Sequence, residues 1–256
     1  MKYDGIIFDW AGTTVDYGCF APVKAFIEAF EHYGITPTLE EVRKPMGMLK
    51  IDHVRTMLSM ERISKAWEEK QGRKWTEEDV KAVYQLSESR ILKIVKDYAQ
   101  PKPYVVETVE QLRNLGLKIG STTGYTDEMM HLVAPKAAEL GYAPDCWFSP
   151  DSTGQKGRPY PYMIFRNMER LGLTDVTRVL KVGDTVADIR EGKNGGMTSV
   201  GILEGSSVMG LTQEEYEALD SKKKEAANEK ARQIYFEAGA DYVVKDIRGI
   251  LDLVKE

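Results

Sequence analysis

Along the chain, short apolar runs rich in Val, Ile and Gly alternate with longer stretches in which apolar residues recur every three or four positions. YDGIIFDW, LKIGSTTG, VLKVGDT, MTSVGIL and ADYVVKD each have the length of a buried strand, and helix-like segments lie between most of them. Continuous apolar strands separated by helices predict an α/β fold, a Rossmann-like, doubly wound parallel sheet covered by helices on both faces. Ligands in such sheets bind beyond the carboxyl ends of the strands, so the polar residues that close the strands are the first place to look for chemistry.

The rhythm breaks between Cys19 and Ala99. No strand pattern occurs there, and PVKAFIEAFEHYG, TLEEVRKPMGMLKIDHVRTMLSM and WTEEDVKAVYQLSESRILKIV read as amphipathic helices. Thr38 with Glu41 has the spacing of a capping box, and Thr76 with Asp79 a weaker version of it. YAQPKPY, with two prolines, marks the return to the sheet. The expected organisation is therefore a core domain of residues 1–18 and 100–256, with a helical domain of residues 19–99 inserted after the first strand. The charged segment from Leu211 to Ala238 reads as a solvated surface helix.

Composition narrows the function classes. Forty acidic and 35 basic residues are interspersed for a net charge of −5, which argues against a nucleic-acid-binding face. The N-terminal apolar stretch stops at Phe8, too short for a signal sequence or a membrane span, so a cytoplasmic location is expected. Two cysteines, Cys19 and Cys146, have neither metal-ligand spacing nor a disulfide framework.

The strand ends carry the chemistry. Asp9 closes the first strand, Thr122, Thr123 and Gly124 the second, and Asp184 closes VLKVGDT with Asp188 four residues on; the loop GRPYP adds Arg158. Carboxylates, a hydroxyl, free backbone N–H groups and one cation at a single sheet edge suit a divalent ion together with a phosphoryl group. Hard oxygen ligands favour magnesium, Mg2+.

FDWAGTTVD, STTG, GRPYP and VGDTVAD, in that order, resemble the four motifs of the haloacid dehalogenase superfamily of phosphoryl-transfer enzymes, and the helical insert matches its mobile cap. The resemblance implies Asp9 as the nucleophile that forms an aspartyl-phosphate, Thr123, Gly124 and Arg158 as phosphoryl ligands, Asp184 as a magnesium ligand and Asp188 as its support. Asp9 itself and the main-chain carbonyl of Ala11 complete the implied metal set. Ala11 is a departure. Phosphatases of the superfamily usually carry there a second Asp that protonates an alkoxide leaving group, which alanine cannot do.

The insert supplies a candidate replacement. Taken as helical, Met46, Lys50, His53 and Met57 in RKPMGMLKIDHVRTM fall at spacings of four, three and four on one face. Lys50 reads either as a surface lysine lying over apolar neighbours or as a desolvated amine able to form a Schiff base. With FDWAGTTVDYGCFAP and GSTTGYT, these residues narrow the resemblance to the hydrolases of the superfamily that cleave the carbon–phosphorus bond of a phosphonate. A carbanion is too basic to leave unaided; an imine on Lys50, formed with an aldehyde two atoms from phosphorus, would accept its electrons. The resemblance also assigns Cys19, Met46 and Tyr125 to the substrate pocket, and His53, one turn beyond Lys50, is placed to shuttle protons for imine formation, with a small buried hydrophobe and a structural histidine as the alternatives for Cys19 and His53. It further implies a small-molecule phosphonate substrate and a homodimer. Three rivals stand beside it: a phosphate-monoester phosphatase or phosphomutase of the same superfamily, with Lys50 merely reading substrate; a non-enzymatic phospho-receiver module, which has no need of a long helical insert; and a phosphate-binding structural protein with a dead site.

Overall fold

The computed structural model describes residues 2–255. Its centre is one sheet of β1 (Gly5–Phe8), β2 (Lys118–Thr122), β3 (Cys146–Phe148), β4 (Val179–Gly183), β5 (Thr198–Ile202) and β6 (Tyr242–Val244), all parallel, in the order β3-β2-β1-β4-β5-β6. The five apolar runs all form strands. The sixth, β3, is an edge strand of three half-buried residues, too short to leave a periodic signal.

The chain after β1 and β4 diverges to opposite halves of the sheet, and these two strands are neighbours, with Phe8 opposite Val182. Asp9 and Asp184 therefore leave the sheet at the same edge, at the switch point where α/β sheets open a crevice. No sequence proximity brings them together; parallel pairing does.

Between β1 and β2 the chain forms α1 (Phe20–Glu31), α2 (Leu39–Arg43), α3 (Lys50–Ser59), α4 (Glu61–Gln71) and α5 (Glu77–Ile94). These helices enclose a core of their own around Phe26, Phe30, Val54, Met57, Leu58 and Trp67, distinct from the sheet core around Phe8, Trp10, Ile119, Val182 and Tyr142. Each large aromatic buries about 150–250 Å² and so contributes several kcal/mol at about 25 cal/mol per Å². The two chain crossings into and out of the insert run side by side: Val15 bridges to Pro101, and the Lys102 N–H donates to the Thr14 carbonyl at 2.9 Å.

Thr38 and Glu41 form the expected capping box, their mutual bonds being 2.8 and 3.2 Å. At Thr76 the Asp79 carboxylate accepts the backbone N–H at 2.8 Å and is also gripped by Arg73. The remaining helices are α6 (Val105–Asn114), α7 (Asp127–Glu139), α8 (Tyr162–Leu171), α9 (Val186–Asn194), α10 (Gln213–Ala218), α11 (Ser221–Glu237) and α12 (Gly249–Lys255). The charged segment is thus two helices rather than one. Leu219 is extended, and the Asp220 side chain caps α11 by accepting the Lys223 N–H at 2.9 Å. Most of α11 is exposed, yet its inner face buries Ala231 and Tyr235. Among the described residues no helix is long and apolar enough to cross a membrane.

Candidate active site

Asp9 follows β1 directly and keeps its backbone in the ladder, its N–H donating to the Val182 carbonyl at 2.9 Å while the Thr14 hydroxyl holds its own carbonyl at 3.0 Å. The carboxylate, only 4% exposed, receives Arg158 Nη2 at 2.7 Å. Arg158 is fixed on every side: Nη1 lies 3.1 Å from Asp188, Nε 3.0 Å from Glu191, and Nη2 donates to the Thr122 hydroxyl at 2.8 Å. Burial alone would lower the Arg158 pKa, but Asp188, Asp9 and Glu191 hold it above its ordinary value. Its guanidinium is a permanent, preoriented fork.

Asp184 follows β4 and accepts the Thr13 hydroxyl at 3.0 Å and the Ser207 N–H at 2.7 Å. Oxygen atoms of Asp9, Asp184 and Asp188 lie within 4.8 Å of one another, all buried. Burial, with Asp9 and then Asp188 adding to it, pushes the Asp184 pKa up to about 7. Four buried carboxylates, Asp9, Asp184, Asp188 and Glu191, share two ion-paired cations, Arg158 and Lys181, with the buried Lys102 as a further cation acting on Asp184, so acids outnumber cations in the cluster. Gly12, at φ +89°, keeps the space beside Asp184 open; a Cβ there would stand 2.1 Å from its carboxylate. This charge and this all-oxygen donor set fit a divalent cation. Asp188 is paired to two cations, Lys181 at 2.7 Å and Arg158 at 3.1 Å, and also accepts the Thr185 hydroxyl, whereas Asp9 is paired to Arg158 alone and Asp184 to no cation among the described residues.

A pocket with about 300 Å³ of open space lies between these strand ends and the insert. Asp9, Ala11, Thr123, Gly124, Tyr125 and Arg158 line it from the sheet side, and Cys19, Met46 and Lys50 from the insert side. Lys50 is 4% exposed, with Nζ 5.2 Å from the Tyr125 ring centroid and 5.9 Å from that of Phe26. Among the described residues no carboxylate forms an ion pair with it. Burial lowers its pKa from the ordinary value, and Arg158 adds to the lowering against the opposing pull of Asp9. Lys50 is also the first residue of α3, where the positive end of the helix dipole disfavours an ammonium further. The surface-lysine alternative does not describe this side chain.

Met46 corrects one expectation. It is not part of the helix carrying Lys50 but lies in the turn before it, because Gly47 adopts φ +86° and Leu49 is extended, so that α3 begins only at Lys50. The turn still delivers Met46 to the pocket. His53 and Met57 stay on the Lys50 face of α3 and are fully buried. His53 does not line the pocket; it stacks on Phe26 at 4.0 Å, and burial together with Lys50 holds its pKa well below the ordinary value. Burial pushes the Cys19 thiol and the Tyr125 phenol well above theirs, so both stay protonated, and the Tyr125 hydroxyl has no partner among the described residues.

Sequence reading overlooks three residues that hold this site in place. Lys181, inside the apolar run VLKVG, and Glu191, one turn beyond Asp188, are fully buried and cross-link Arg158, Asp188 and Thr122. A lysine within a strand otherwise apolar throughout was the available signal, since a buried charge needs a partner. Tyr235 of α11 donates its hydroxyl toward the Asp184 carbonyl at 2.8 Å and the Ile202 carbonyl at 2.9 Å, a contact no local pattern foretells.

A sequence profile of the haloacid dehalogenase-like hydrolases matches residues 3–196, and a second one, described as HAD-hydrolase-like, matches residues 155–249. The chain belongs to the haloacid dehalogenase-like hydrolases. Members of this family typically use a divalent metal, in keeping with the acidic cluster. Among its relatives in the family, a phosphonoacetaldehyde hydrolase of Lysinibacillus sphaericus is 50% identical over 254 residues, 99% of this chain and 94% of that protein. A bifunctional phosphonoacetaldehyde hydrolase/aminoethylphosphonate transaminase of Clostridioides difficile is 49% identical over 99% of this chain, which spans 40% of that longer protein. The crystal structure of a phosphonoacetaldehyde hydrolase like protein from Oleispira antarctica superposes with a TM-score of 0.96 at 36% identity, covering 100% of this chain and 92% of that one.

Proposed function

We propose that this hydrolase cleaves the carbon–phosphorus bond of phosphonoacetaldehyde to acetaldehyde and phosphate, through a Schiff base on Lys50 and an aspartyl-phosphate on Asp9. The observation that carries the reading is a buried amine with no carboxylate ion pair among the described residues, opening into the same pocket as Asp9 and Arg158, with Ala11 where an acid would otherwise stand. The names of relatives close to half identical over nearly their whole length support the substrate.

The order of events follows from the residues. The neutral Lys50 amine attacks the aldehyde carbon, and the carbinolamine takes up one proton from solvent and loses water, leaving the protonated imine. Asp9 attacks phosphorus in line; the phosphorus–carbon bond breaks, its electron pair moving into the imine to give an enamine. Arg158, Thr123 and the main chain at Gly124 hold the phosphoryl oxygens. The enamine takes a proton on carbon, water hydrolyses the imine to release acetaldehyde and free Lys50, and a second water cleaves the aspartyl-phosphate. Cys19 and Tyr125 remain protonated and can donate hydrogen bonds near the carbonyl end, with His53 behind Lys50 as a neutral proton relay. Magnesium, held by Asp9, Asp184 and the Ala11 carbonyl with Asp188 in support, would offset phosphoryl charge.

In this reading residues 19–99 are a cap that closes over the core formed by residues 1–18 and 100–256, which excludes water from the imine. The enzyme is taken as a cytoplasmic homodimer. The test is borohydride trapping with acetaldehyde, followed by peptide mapping, beside an assay of phosphonoacetaldehyde turnover. A reduced adduct on Lys50 and phosphate release are expected. Turnover of phosphate monoesters without an adduct would favour the phosphatase alternative.

A further inference from the structure

Two grooves adjoin the catalytic pocket, and their charges differ in sign. The first, of about 1,080 Å³, shares Met46 and Thr185 with the pocket and runs along the seam between α2 and α11. Arg43, Lys44 and Lys230 line it, against the single acid Glu40 among its described lining residues. The second, of about 980 Å³, meets the pocket at Lys50 and carries Glu88, Glu128 and Asp151.

Arg43 is built into the first groove. Its Nη1 donates to the Gly18 carbonyl at 2.7 Å and the Ser207 carbonyl at 3.2 Å, and its guanidinium lies 4.9 Å from the Phe20 ring centroid, so its charge is held in place. Lys44 and Lys230 are exposed, and neither is tied up in an ion pair among the described residues. A phosphonate and the phosphate made from it are both anions, whereas an aldehyde is neutral. Net of Glu40, two positive charges line the first mouth against three carboxylates at the second, so the anion is favoured along the first approach over the second.

We infer that the groove lined by Arg43, Lys44 and Lys230 is the anion-selective access route through which the phosphonate reaches Asp9 and phosphate leaves. The inference rests on the function proposed above. Lys44 and Lys230 touch no reacting atom; they raise the local concentration of the anion, an effect that salt screens over about 8 Å at physiological ionic strength.

The test reverses two charges. K44E/K230E is expected to lower kcat/KM for phosphonoacetaldehyde about tenfold at low ionic strength, with kcat within about twofold of wild type. The deficit should shrink as potassium chloride is raised toward about 0.5 M. The Kd of inorganic phosphate, measured by titration calorimetry, should rise in step, while borohydride trapping of the neutral acetaldehyde stays unchanged. K222E/K223E, the same charge change on α11 outside the groove, should leave kcat/KM near wild type. A wild-type phosphate Kd and salt profile in K44E/K230E, or an equal loss in K222E/K223E, would overturn the route. If the wild-type enzyme turned over no phosphonate, the carbon–phosphorus reading would fall instead, and the phosphate Kd would still decide the groove.

Discussion

Replacing Lys50 by methionine should destroy activity and stabilise the protein. The methionine side chain has similar reach and suits an apolar site between Phe26 and Tyr125, so the change removes a charge from the interior while keeping most of the packing. The wild-type amine has no compensating carboxylate ion pair among the described residues, is almost wholly buried, and stands at the positive end of α3. Replacing a buried charged group by a well-packed apolar side chain of similar volume often stabilises by about 1–4 kcal/mol, so Lys50→Met should gain on the order of 1–3 kcal/mol at pH 7. For a chain of this size that corresponds to several degrees in Tm. The sign with pH is fixed by the direction of the shift. Between the lowered folded-state pKa and the ordinary value of 10.5, the folded protein binds fewer protons than the unfolded chain, so wild-type stability rises with pH across that interval. The advantage of Lys50→Met should therefore be largest below the folded-state pKa and fade as pH approaches 10.5. Urea unfolding of both proteins at pH 6, 8 and 10 measures it. A variant no more stable than wild type, or an advantage independent of pH, would refute the claim that the Lys50 amine is desolvated.

Three further outcomes follow from the same geometry. Ala11→Asp places a carboxylate in the pocket that Lys50 shares; by favouring the ammonium it should reduce imine trapping and phosphonate turnover at least tenfold, read as adduct yield at fixed pH. Tyr235→Phe strips one donor from the buried carbonyls of Asp184 and Ile202, and should cost about 1–3 kcal/mol in urea unfolding with a weaker metal affinity by titration calorimetry. Chelation should abolish turnover, and adding back Mg2+ should both restore it and raise Tm, because the ion binds the folded carboxylate cluster and not the unfolded chain; a Tm indifferent to Mg2+ would argue against a site at Asp9 and Asp184.

The strands, their parallel arrangement and the helical insert were legible because continuous apolar runs and three-to-four periodicity are local properties of the chain. The same holds for Asp9, Thr123 and Asp184, since each closes a strand, whereas Arg158 lies well beyond β3 and only its loop GRPYP marked it. The turn at Met46 was hidden because only the backbone at Gly47 decides where α3 begins. Edge strand β3 left too few residues to show a period.

What the sequence determined by itself is the chemistry on offer: an acid at the end of a buried strand, alanine two residues later, and a lysine among apolar neighbours in an insert. Only the tertiary structure decided that these groups meet. Pairing of β1 with β4 brings Asp9 beside Asp184, although they are far apart in the chain. Packing of the insert against the strand ends removes Lys50 from water, and that desolvation, more than its position in the sequence, makes an ordinary ammonium into a candidate nucleophile. Lys181, Glu191 and Tyr235 act through contacts between elements distant in the sequence, so their roles exist only once the sheet and its helices have closed around them.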